Sequence, residues 1–303
     1  MHGHRRVIPE VTYLLTKKCF DERFLLKPTR KCRQALRYEL ARRAKQYGIK
    51  LHSFCFMPNH FHLVVTDPRG NLPAFMRDFL TNTSKALQVA LEVNSPIWSG
   101  KRYSAVRLLD LDAAMRKAAY TLLNPARAEL TRPKEWPGLT SAVYAIGDTI
   151  TVRRPNFYFS KRYCPETVEL TIDPISPEFG LSGRRQIESC NESILLDVKR
   201  SARAIKAEAK QEGRTFAGAE KVRKTPLTKR TRRKIGERNP RFATKDKPLL
   251  KQAIAEWKKF ERLHAKAAAK FRQGERDVVF PYGTYGYKVV LGVQVSPKPI
   301  PRR

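Results

Sequence analysis

Residues 50–66, KLHSFCFMPNHFHLVVT, read as two strands joined by a tight turn. Lys50–Met57 and His60–Thr66 are dense in aromatic and β-branched residues, and Pro58-Asn59 between them supplies the turn chemistry, so the pair is a hairpin. Working outward, Val11–Cys19 has the composition of a strand, and Pro28–Gly48 has helical periodicity with Gly48 as its stop. Pro73–Val93 is a second helix, Ile97–Leu109 a loop and strand, and Leu111–Leu123 a third helix, closed by Asn124-Pro125 because a residue before proline disfavours helical backbone. Strand, helix, hairpin, helix, strand, helix predicts an α+β domain of the ferredoxin-like kind with an antiparallel sheet.

The chain has 303 residues, with 61 Lys and Arg against 28 Asp and Glu, a formal charge of +33. That length suits one large domain or two modest ones. A hydrophobic content of 41% is enough for a core and excludes wholesale disorder. The longest apolar runs fall far below the roughly 18 residues that span a bilayer, and MHGHRRVIPE carries no apolar stretch of the kind that opens a secretory signal. Cys19, Cys32, Cys55, Cys164 and Cys190 are widely spaced and form no CxxC pair, which argues against a disulfide framework or zinc ribbon. A cytoplasmic location is expected from that cysteine usage. The excess charge calls for a polyanionic partner, and nucleic acid is favoured over a membrane surface because no strongly amphipathic terminal helix accompanies it.

Both halves are basic: residues 1–150 hold 25 Lys and Arg against 12 Asp and Glu, and residues 151–303 hold 36 against 16. The expected division is an α+β domain over 1–150 and a basic, mainly helical C-terminal extension over 151–303, with the four prolines of 153–177 at the boundary. In the extension, 184–212 reads as a basic helix, 224–247 as a phosphate-binding arm or linker that includes Arg232-Arg233-Lys234, and 248–273 as an amphipathic helix. The tail, FPYGTYGYKVVLGVQVSP, reads as a strand or hairpin. No motif in this half is assignable to chemistry.

His60 and His62 stand two apart on a strand, so both imidazoles point to one side while Phe61, Leu63 and Val65 face a core. Such a pair can ligate one metal ion, but H-x-H alone is equally a packed histidine pair. Tyr120 and Asn124, four apart, share one face of the third helix; alone, each reads as an ordinary helix residue. His2 and His4 read as a disordered tail.

Four motifs in order resemble the single-tyrosine HUH transposases, and among them the REP-associated tyrosine transposases. They are Met57-Pro58-Asn59-His60-Phe61-His62, Leu72–Met76, Trp98–Tyr103, and Tyr120 with Asn124-Pro125-Ala126-Arg127-Ala128. The likeness covers roughly residues 8–145, and departs from the family where Glu129 stands in a place more usually glycine. The resemblance implies a metal-dependent endonuclease and strand transferase that cuts single-stranded DNA beside hairpins. Tyr120 would be the nucleophile, forming a 5′-phosphotyrosine and freeing a 3′-OH, and His60, His62 and Asn124 would hold the divalent ion. A tyrosine of pKa about 10 is a weak nucleophile at neutral pH, so charge neutralisation by Mg²⁺ or Mn²⁺ is expected, imidazole favouring Mn²⁺. Expected partners are single-stranded or hairpin DNA, with no membrane; simple relatives form homodimers, and the large C-terminal half leaves two alternatives open here, a homodimer or a partner replaced or blocked by that half. Candidate DNA contacts are Arg69, Arg77, Lys101, Arg102, Tyr103 and Arg127, with Arg5, Arg6, Lys17, Lys18 and Trp98 beside them. The alternative is a non-catalytic nucleic-acid-binding protein on a domesticated transposase scaffold; a hydrolytic nuclease would not need Tyr120.

Overall fold

The computed structural model describes residues 5–231 and 240–298. His2, His4 and Arg232-Arg233-Lys234 lie outside the described residues. The N-terminal half runs β1 (Val11–Lys18), α1 (Arg30–Tyr47), β2 (Lys50–Phe56), β3 (His60–Asp67), α2 (Leu72–Leu91), β4 (Ser104–Leu108) and α3 (Leu111–Arg127). The four strands lie in the order β2-β3-β1-β4, all pairs antiparallel, which is the ferredoxin-like arrangement expected. The fold is α+β, with a mainly helical basic extension after it.

Strand alternation sorts the side chains. Tyr13, Leu15, Phe54, Phe56, Phe61, Leu63 and Val65 point to one face and build the main core under α1 and α2. Leu14, Thr16, His60, His62 and Val64 share the other face, over which α3 packs through Ala114, Ala118 and Ala119. The histidine pair therefore sits on the α3 side of the sheet.

The helix starts follow from capping. Thr29 accepts from Cys32 N at the start of α1, Asp110 accepts from Ala113 N at the start of α3, and the Asp67 carboxylate accepts from Asn71 N and Leu72 N ahead of α2. Gly48 ends α1 at φ 67°, a left-handed turn that glycine adopts without strain.

Beyond α3 come β5 (Thr149–Arg153), β6 (Thr167–Thr171), α4 (Arg184–Gln211), α5 (Gly218–Lys224), β7 (Phe242–Ala243), α6 (Lys247–Arg272) and α7 (Gly286–Leu291). The β5–β6 hairpin puts Val152, Val168 and Leu170 into the main core, α4 lays Ile194 against the α3 layer, and β7 adds a short fifth strand parallel to β4. Two expectations are corrected. Asn124-Pro125 does not close α3, which continues to Arg127 with the proline inside. Proline has no N–H for the Thr121 carbonyl, and the Asn124 side chain fills the gap, its Nδ2 donating to Tyr120 O at 2.9 Å and Thr121 O at 3.3 Å. The aromatic tail is not a strand or hairpin over its middle: Gly286–Leu291 is helical, ended by Gly292 at φ 66°, and only Phe280 and Val295 form a bridge. Packing decides this, because Tyr287 stacks on Phe280 with ring centroids 4.8 Å apart.

Candidate active site

The hairpin turn brings His60 to the first position of β3, where Met57 N–H bonds His60 O at 2.8 Å. The rings of His60 and His62 lie 4.9 Å apart, and the ring of Tyr120, descending from α3, meets His62 edge-on at 5.4 Å. Three side chains from two distant parts of the chain thus converge near the β2–β3 turn, on the α3 side of the sheet. Asn124 is buried one turn farther along α3, its amide nitrogen bonded to the Tyr120 and Thr121 carbonyls of its own helix, which leaves Oδ1 as the atom it can offer to a cation.

Each histidine is held by its Nδ1. His60 Nδ1 lies 2.7 Å from Asn59 Oδ1, and His62 Nδ1 lies 2.8 Å from Thr16 Oγ1. The Nε2 atoms are the nitrogens left for ligation, as in sites where a partner on the other nitrogen orients a metal-binding imidazole. Burial pushes the His60 imidazole down to about 4, with Lys18 adding to the fall and Glu22 opposing it. Burial also holds His62 well below its ordinary value, helped by His60 and Lys117. Both rings are neutral at physiological pH, the state a ligand needs. Two neutral imidazole nitrogens and an amide oxygen suit Mn²⁺ and also Mg²⁺ with water completing its shell. Among the described residues no group of three or more His, Cys, Asp and Glu could hold a metal.

Tyr120 is half-buried and flanked by cations: Lys117 Nζ lies 5.4 Å and Arg127 Cζ 5.3 Å from its ring centre. Burial, then Arg116 and Arg127, lower the Lys117 ammonium below its usual range. The two cations make the surroundings of Tyr120 electropositive, a field that attracts anions. Lys117, three residues before Tyr120, went unread in the sequence, although helical spacing alone places it on that face.

Of the candidate DNA contacts, Arg127 is the one the fold brings to Tyr120. Trp98 is buried in the core, its indole N–H donating to Leu80 O at 3.0 Å and its ring packed on Phe61. Tyr103 is half-buried under the Arg5 guanidinium, 3.9 Å from its ring centre. Lys17 is buried and bonds Ser99 O at 2.7 Å, bracing the turn that carries the exposed Lys101 and Arg102. Arg77 pairs with Asp78 on α2, Arg69 lies against Gly48 at the end of α1, Arg6 pairs with Glu256, and Lys18 pairs with Glu22.

The resemblance read from the motifs is borne out over residues 21–106, which match the family model described as "Transposase IS200 like". That stretch contains His60 and His62; Tyr120 and Asn124 lie beyond it. Among solved structures the chain is similar to a REP-associated tyrosine transposase bound to a REP hairpin, at 18% identity over 46% of this chain and 82% of that one, with a TM-score of 0.39. It is also similar to a protein of Deinococcus radiodurans R1 assigned as a transposase, at 18% identity over 35% of this chain and 85% of that one, with a TM-score of 0.28. No curated protein matches the sequence. Among the described residues, no helix is long and apolar enough to cross a membrane.

Proposed function

We propose that this protein is a metal-dependent endonuclease and strand transferase acting on single-stranded DNA beside hairpins, a transposase whose covalent intermediate is a 5′-phosphotyrosine on Tyr120. The observation that carries the reading is the meeting of His60, His62 and Tyr120 at ring distances of 4.9 and 5.4 Å on one face of the sheet. The family match over the histidine-bearing segment supports it.

His60, His62 and Asn124 would hold the divalent ion, which when bound supplies Lewis-acid polarisation of the scissile phosphate. Lys117 and Arg127 draw the phosphodiester toward the tyrosine. The Tyr120 oxygen attacks phosphorus, the bond to the 3′ oxygen breaks, and that oxygen leaves as a 3′-OH after taking a proton. The phenolic proton is released to solvent. Attack by a 3′-OH on the phosphotyrosine reverses these changes and rejoins a strand, so one residue serves cleavage and transfer.

Incubation with an end-labelled, hairpin-flanked single strand and Mn²⁺ tests this. A protein–DNA adduct is expected with the native chain and none with Tyr120→Phe, while binding survives. Cleavage without an adduct would mean hydrolysis, and binding without cleavage would mean a domesticated, non-catalytic scaffold.

A further inference from the structure

Segment 223–231, from the C-terminal half, lies along residues 21–27 at the turn end of the β2–β3 hairpin. Phe24 N–H donates to Lys229 O at 2.9 Å, and the Lys27 ammonium donates to the carbonyls of Arg223 and Thr225. Arg230 forms a backbone bridge with Arg23 and an ion pair with Asp21 at 2.6 Å. This strap delivers Thr231 to Asn59, 172 residues away in sequence.

The hydrogen bonds at that junction run in one direction. Asn59 Nδ2 donates to Thr231 Oγ1 at 2.9 Å and to Glu22 O at 3.3 Å, and the Thr231 hydroxyl donates to Glu22 Oε2 at 3.1 Å. Because Glu22 O can only accept, the amide nitrogen must face it, so Asn59 Oδ1 must face His60 Nδ1. A carbonyl oxygen also only accepts. His60 therefore carries its proton on Nδ1 and keeps the Nε2 lone pair free. An inverted Asn59 amide would turn N–H groups toward Nδ1, move the ring proton to Nε2 and close that nitrogen to a cation.

We propose that the C-terminal half completes the candidate metal site: Thr231 is a positioning residue that holds Asn59 in the orientation leaving His60 Nε2 free for a divalent cation. This rests on reading His60 and His62 as ligands. The Glu22 carbonyl alone, at 3.3 Å, is the weaker of the two restraints on the amide.

The test uses the full chain as native protein, Thr231→Val, Thr231→Ser and His60→Ala. Thr231 is exposed, so the valine change leaves the core intact, and circular dichroism melts monitor the fold. In metal-free protein, long-range proton–nitrogen NMR of the imidazoles should show His60 as a single Nδ1–H tautomer in the native and serine chains. The valine chain should show an added Nε2–H population. Titrated with Mn²⁺ alone, Thr231→Val should bind about tenfold more weakly than native, within the range for lost outer-shell partners, and Thr231→Ser should bind as native does. A native-like tautomer in Thr231→Val overturns the proposal, as does unchanged Mn²⁺ affinity. If His60→Ala binds Mn²⁺ as tightly as native, the ligand assignment fails and takes the proposal with it. The two failures are distinguishable, because the tautomer spectrum reports on Thr231 independently of metal.

Discussion

Asn124, the proposed third ligand, also has a backbone role. Its amide nitrogen replaces the hydrogen bond that Pro125 cannot make, which keeps α3 helical past Tyr120. Reading Asn-Pro as a stop fails because the rule describes backbone preference and leaves out a side chain that substitutes for the missing donor. Glu129 is the converse case. The resemblance to the transposase family implies glycine at its place, and the structure puts it at φ 51°, in the left-handed region that costs a side-chain-bearing residue roughly 1–2 kcal/mol. Its carboxylate pairs with Arg214, a half-exposed contact of about 0–1 kcal/mol. We expect Glu129→Gly to raise unfolding stability by about 0–1 kcal/mol once the greater chain entropy of glycine and the lost ion pair are subtracted. Urea unfolding measures it, and a loss of stability would mean that the ion pair outweighs the strain.

At the scale of elements, the β2–β3 hairpin is the part most fully legible in the sequence, because strand alternation alone puts His60 and His62 on one side. What holds the hairpin was not legible. Phe56 N–H donates to Leu139 O at 2.8 Å, and the Trp136 indole donates to Phe56 O at 2.9 Å, contacts made across some eighty positions. Gly138 fits beneath that indole only because it lacks a side chain: a Cβ there would lie 2.4 Å from Trp136 Nε1 and 2.9 Å from Phe56 O. Gly138→Ala should therefore cost about 1–3 kcal/mol by overpacking, read as a lowered melting temperature, and should weaken Mn²⁺ binding through the displaced hairpin. The bulge in β2 places His52 on the α3 face, where its Nδ1 donates to Asp173 O at 3.0 Å and its Nε2 accepts from Thr66 at 2.8 Å. Burial pushes His52 down to about 4, from an ordinary 6.5. A histidine depressed in the fold takes up its proton on unfolding. Its contribution is thus complete above pH 6.5 and lost as pH falls through 4, a change of order 3 kcal/mol. Urea unfolding across that window should show the loss, and His52→Gln, which keeps a donor and an acceptor without titrating, should flatten the slope.

For the whole molecule, composition alone showed a net charge of +33 and two differently textured halves, and it hid how closely the halves join. Leu170, Ile172, Ile175 and Ile194 are all buried, two of them in the main core and two against α3. At about 1.5–3 kcal/mol each, their removal exceeds most of the 5–15 kcal/mol by which a domain is stable. A chain cut after residue 150 should therefore lose cooperative unfolding by circular dichroism, and a sharp native-like melt would contradict the packing. Phosphate binding by the extension is better tested in the intact protein. Lys199, Arg203, Lys206 and Lys210 recur every three or four residues along α4 on one side of a groove of about 970 Å³. Changing all four to Gln should flatten the plot of log affinity against log salt by roughly 3, at about 0.7 per phosphate on a single strand. An unchanged slope would place the DNA track elsewhere.

A covalent bond between Tyr120 and DNA adds a mass that can be measured. After reaction with a hairpin-flanked single strand and Mn²⁺, nuclease and trypsin digestion should yield the peptide AAYTLLNPAR, residues 118–127, carrying a 5′-linked nucleotide on Tyr120 by tandem mass spectrometry. The modified peptide should be missing when EDTA replaces Mn²⁺. A nucleotide on any other residue, or cleaved DNA with peptide 118–127 unmodified throughout, would contradict the assignment of Tyr120 as the nucleophile.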